Sequence, residues 1–220
     1  MTGKYKLNVI PGEDRINTPG GGKFESKVKG SRFIAICSPA ADRQAAEIIV
    51  AAERKKYHDA THHCWAWREL APGEAAFAWD DNGEPSGTAG PPILKIIDGA
   101  DLRGALIVVT RYFGGTKLGT GGLARAYAEA AAGAVDNSGT RQGMLAEKYI
   151  ITVDYAQLGA VTRLLESFPL IVTGREFTDD VGLNIAVSSS RAESMVAMLT
   201  EATAGRAGIE RLGPEIVFEN

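Results

Sequence analysis

Five of the chain's 26 glycines fall in one short segment, RYFGGTKLGTGGLAR at residues 111–125: Gly114, Gly115, Gly119, Gly121 and Gly122. Glycine accepts positive φ and lets a ligand come close to the main chain. The segment runs from an apolar, strand-like stretch into an alanine-rich helical one. It therefore offers the unpaired N–H groups and positive dipole end of a helix start. Arg111, Lys117 and Arg125 flank that start. The chemistry on offer is anion binding, most naturally of a phosphate. The spacing is neither the G-x-x-x-x-G-K-[ST] of a P-loop nor the G-x-G-x-x-G of a dinucleotide fold. A tight turn that packs helix on sheet is the competing reading.

Two other clusters carry reactive types. His58, His62, His63 and Cys64 invite a zinc site, yet in a strand His62 and Cys64 share one face while His63 points to the other. The remaining cysteine, Cys37, is distant in sequence. A Cys64–His62 nucleophile pair would splay apart for the same reason. The opposite face carries His63, Trp65 and Trp67, either packed under a neighbouring element or stacking bases as in RNA-binding sheets. His62 and Trp65 are thus outside candidates for base contact. Asp80, Asp81 and Glu84 form an acidic turn that would hold Mg2+, work as acid and base, or cap a helix and pair with basic residues. Asp81 and Glu84 join the additional candidates. No residue is assigned a catalytic or metal-binding role, and no cofactor is implied.

The composition sets bounds on these readings. Lys and Arg number 24 against 27 Asp and Glu, a net charge of -3 that excludes a globally basic nucleic-acid binder. Any anion site must be local. Residues 1–56 hold eleven basic and six acidic groups, whereas residues 147–220 hold six and eleven. Two cysteines fit a reducing compartment. The first residues lack the apolar core of a secretory signal, and no run approaches the roughly 20 apolar residues of a membrane helix. A cytoplasmic protein with no membrane partner is expected.

The elements that must position these residues alternate along 220 positions. Residues 8–22 read as loop, with Pro11-Gly12 and Pro19-Gly20-Gly21-Gly22 supplying turns. Two paired strands follow at 23–28 and 31–37, then a helix over 39–57 with Asp42 as its cap. Strands are expected at 61–69, 75–79 and 105–112, with Pro72-Gly73 a turn. A helix capped by Ser86 or Thr88 precedes the last of these strands, and a helix over 123–135 follows it. The polar stretch 137–143 divides the chain. Beyond it come strand 148–155, helix 156–168, strands 171–177 and 183–187, helix 191–204 and strand 215–219. That β-α-β-β-α-β order is ferredoxin-like. The chain therefore divides into an N-terminal extension (1–22), a first domain (23–140) and a second (147–220), an α+β protein overall.

Three segments carry a resemblance: ATHHCWAWR at 60–68, DDNGEPSGTAGPPIL at 80–94 and VVTRYFGGTKLGTGGLARAY at 108–127. Together they resemble the IMPACT/YigZ family, in its bacterial two-domain form. The resemblance implies that the first domain has the two-layer fold of ribosomal protein S5 domain 2, also found in elongation factor G. It implies that the second is like the last, ferredoxin-like domain of that factor. It also implies a translation-linked role, with RNA or ribosome-associated factors as partners. Eukaryotic relatives restrain a kinase of a translation initiation factor, but their partner contacts do not carry over to this two-domain form. A non-enzymatic RNA-binding or regulatory protein is the expected function. An enzyme on a phosphorylated small molecule and a protein–protein adaptor in translational control are the alternatives.

Overall fold

The computed structural model describes residues 11–71 and 75–218. Of these, 17–141 form one compact unit, and 11–16 with 142–218 form the other. The first strand, β1 (Arg15–Pro19), lies where a loop is expected. Its apolar signal is a single residue, Ile16, and Pro19 closes it, so hydrophobic patterning does not announce it. Ile16 and Thr18 alternate as buried positions, and the strand is held by pairing with β7 (Thr140–Val153) of the second unit's sheet. The loop residues before Pro11 and the Pro72-Gly73 turn lie outside the described residues.

In the first unit, β2 (Gly22–Val28), β3 (Ser31–Pro39), β4 (His62–Arg68), β5 (Phe77–Asp80) and β6 (Ala105–Tyr112) make an antiparallel sheet in the order β2-β3-β6-β4-β5. Strand β6 is central and buried from Ala105 to Arg111, as its unbroken apolar run requires. Helices α2 (Gly90–Gly99) and α3 (Thr120–Asp136) cover one face. There Ile93, Ile97, Tyr127, Ala130 and Ala134 meet Phe33, Cys64, Ile107 and Val109. Helix α1 (Arg43–Lys56) covers part of the other face, over Trp67, Leu106 and Val108. Asp42 caps α1, its Oδ1 accepting from the Ala45 N–H at 2.8 Å. The parity of β6 therefore fixes which residues face α3: 105, 107 and 109, and with them Arg111.

The second unit follows the order expected of it. Strand β7 leads to α4 (Leu158–Leu165), β8 (Leu170–Phe177), β9 (Val181–Ser188), α5 (Ala192–Ala202) and β10 (Gly208–Phe218). Strand β7 lies between β9 and β10, with β8 outside β9, so the first strand sits beside the third and the fourth. Its core is apolar, built from Ile151, Val161, Leu165, Leu183, Ile185, Met195 and Leu199. Strands β7 and β10 are longer than their apolar patterning suggests. Their ends pair with each other from Gly143↔Phe218 to Glu147↔Pro214, and there Met144 and Ala146 are buried with Ala186 in a small apolar cluster against which Ile171 and Val217 pack.

Candidate functional site

Residues of all three family-like segments meet at the end of β6 beneath α3. Cross-strand register places His62 of β4 and Phe33 of β3 on either side of Arg111. The Arg111 guanidinium is buried, its residue 4% exposed, and Nη1 donates to Glu84 Oε1 at 2.5 Å. The Tyr127 hydroxyl donates to that same oxygen at 2.7 Å. His62 Nε2 stands 3.8 Å from it, while Nδ1 bonds the Asn82 carbonyl at 2.8 Å. A carbonyl only accepts, so Nδ1 carries a proton. Arg111 Nη2 donates to Ser31 Oγ at 3.2 Å, and the Gly114 N–H donates to that hydroxyl at the same distance. One buried ion pair thus anchors the first residues of the glycine segment to the sheet.

Its carboxylate neighbours are equally committed. Asp81 accepts from the N–H groups of Gly87, Ala89 and Gly90 at 2.7, 2.9 and 2.8 Å. It therefore caps α2 from eight residues away, where Ser86 or Thr88 is expected to do so. The α2 N-cap, Ala89, makes no side-chain cap bond, and the Thr88 hydroxyl donates to the Pro85 carbonyl at 2.6 Å instead. Asp80 receives Asn82 N–H at 2.7 Å and pairs with Arg54 at 3.3 Å. Among the described residues no group of three or more His, Cys, Asp and Glu is arranged to hold a metal ion. Cys64 has one proton for two acceptors, the Asp81 carbonyl at 3.0 Å and the Tyr127 oxygen at 3.3 Å. Burial pushes its thiol up to about 12, which leaves it an inert core group. Burial and the neighbouring Cys64 also raise the Tyr127 phenol, so it stays a donor.

Beyond this anchor the glycine segment opens to solvent. Gly114, Gly115, Lys117, Gly119, Gly121 and Arg125 are exposed and Gly122 half-buried. Gly119 is the N-cap of α3, with φ 71° and no side-chain cap bond. The first N–H groups of a helix have no intrahelical acceptor, so here they face the exposed loop. Gly114 and Gly121 differ in kind. A Cβ on Gly114 would run into the Gly30–Ser31 main chain, whereas one on Gly121 would meet nothing nearer than Arg125 Nη1 at 3.7 Å. Packing explains the first glycine and not the second.

The residues expected to bind an anion therefore divide. Lys117, Arg125 and the glycines from Gly115 to Gly122 surround the α3 start, and Arg111 stands inside with its charge engaged by Glu84. His62 is half-buried on the α3 face. Trp65 lies on the other face, packed against the α1 cluster, and Trp67 Nε1 donates to the Ala40 carbonyl at 2.9 Å. His63 is buried there too, and burial lowers its pKa. Residue reading missed Tyr127, Ser31 and Phe113. A tyrosine in an alanine stripe was itself a signal, because a buried phenol needs a partner.

Comparison with known proteins matches both units. The family described as "Impact N-terminal domain" matches residues 29–135, and "Domain of unknown function (DUF1949)" matches 151–206. An IMPACT family member of Haemophilus influenzae is 33% identical over 86% of this chain and 92% of its own length. The Bacillus subtilis IMPACT family member YvyE is 31% identical over 86% of this chain and 87% of its own. The Escherichia coli IMPACT family member YigZ is 32% identical over 81% and 88%. A crystal structure described as that of a hypothetical protein is similar with a TM-score of 0.62 at 29% identity, covering 89% of this chain and 96% of that one.

Proposed function

The chain belongs to the IMPACT family, and from that premise we propose that it is an RNA-binding protein of translation that holds phosphates at the start of α3. The observation that carries the reading is Gly121. Gly121 is the second residue of α3, and at this position neither packing nor a positive φ requires glycine. Its lack of a side chain leaves the α3 N–H groups open to a close ligand, between exposed Lys117 and Arg125. The buried Glu84–Arg111 pair supports this indirectly, by fixing where the loop begins. The elongation-factor resemblance of the two domains supports a partner from the translation machinery.

The alternative of an enzyme using the acidic turn for a metal is disfavoured by the geometry, since both Asp81 oxygens and Glu84 Oε1 accept from protein donors. The test is a gel shift of the full chain with rRNA fragments and tRNA at low salt. Wild type is expected to bind, and Lys117→Ala with Arg125→Ala to bind much more weakly while unfolding at the same urea concentration. Absence of binding by wild type, or no change in the double variant, contradicts the reading.

A further inference from the structure

Phe113 is 48% exposed at the mouth of the loop. It follows β6 directly, and its ring lies beside the Arg111 guanidinium on the side that α3 covers. Three features make the ring a fixed platform rather than a stray surface residue. Its N–H donates to Thr61 Oγ1 at 3.0 Å, which holds its main chain. Its ring centroid lies 5.6 Å from the Arg111 guanidinium carbon. That guanidinium is itself immobilised by Glu84, Ser31 and the Phe33 ring at 5.5 Å. Arg111 Nε is buried with no hydrogen-bond partner among the described residues, and the guanidinium lies against both the Phe33 and the Phe113 rings. The guanidinium backs the ring from the protein side, and the exposed side offers a flat apolar face on which a nucleobase can stack.

Resting on the RNA reading above, we propose that the ligand is single-stranded and that one unpaired base stacks on Phe113 while the adjoining phosphate sits at the α3 start. A base in the interior of a duplex is already stacked on both faces and does not reach such a ring. A protein that holds only phosphates would not distinguish the two forms of RNA. The platform therefore converts a phosphate site into a selector for unpaired nucleotides, for which aromatic stacking is the sequence-tolerant device.

The test compares a 12-nucleotide single-stranded RNA, carrying one 2-aminopurine, with a blunt duplex of the same sequence. Wild type is expected to prefer the single strand and to quench the 2-aminopurine. Phe113→Ala is expected to lose roughly 5- to 100-fold in single-strand affinity and to lose the quenching, with the salt dependence of binding unchanged. Phe113→Trp is expected to restore both. If Phe113→Ala binds the single strand as well as wild type, or wild type binds the duplex equally tightly, the stacking proposal is overturned. In that case a loss of binding in the Lys117→Ala, Arg125→Ala double variant would leave the phosphate reading standing. If wild type binds neither RNA at low salt, both fall.

Discussion

The two ends of the glycine segment look alike in sequence and behave as opposites in the fold. At the strand end, Gly114 is pressed against Gly30 and Ser31, and the adjacent Arg111 is buried with Glu84. At the helix end, a Cβ on Gly121 would meet only the Arg125 guanidinium, at ordinary contact distance, and the basic residues are exposed. The first end is built for rigidity and the second for access. A rigid base beneath an accessible helix start is what a binding site needs, because the donors are then ordered before the ligand arrives.

The contrast can be broken at either end. All three tryptophans, Trp65, Trp67 and Trp79, lie in the first unit, so their fluorescence reports its unfolding alone. The largest effect is expected for Gly114→Ala, where the new Cβ forces β6 away from the Gly30 turn. We expect more than about 4 kcal/mol of destabilisation, the range reserved for steric and backbone conflicts. Arg111→Met comes next, at about 3–5 kcal/mol, because it leaves the Glu84 carboxylate buried without its cation. Urea unfolding followed by tryptophan fluorescence checks both, and a cost below 1 kcal/mol in either would remove rigidity from the account.

Gly121→Ala should act in the opposite direction. It is expected to stabilise the first unit by up to about 0.5 kcal/mol, since Gly121 lies in the first turn rather than mid-helix, while weakening RNA binding. A variant that is more stable and binds RNA unchanged would show that access at Gly121 is not used.

Much of this scaffold was readable from residue types. The ALIVVTRY run marked β6, and Asp42 marked the start of α1, because both signals are local. The β-α-β-β-α-β order of the second unit was legible for the same reason. Strand β1 was not, since it owes its place to a partner more than a hundred residues away. The engagement of Arg111 hid in a similar way: its parity with Ile107 and Val109 implied burial, but Glu84, its partner, comes from a loop 27 residues earlier. Asp81 shows the limit from the other side. Its type suggested a cap, and only the folded turn reveals that it reaches the α2 N–H groups ahead of Ser86 and Thr88.

Phosphate binding at the α3 start is read out by the salt dependence of RNA binding. Each phosphate contact to a single strand contributes about 0.7 to the slope of log K against log salt. Replacing both Lys117 and Arg125 by alanine is expected to lower that slope by about 1.4, with the folded state unchanged. An identical slope and affinity in wild type and double variant would contradict it.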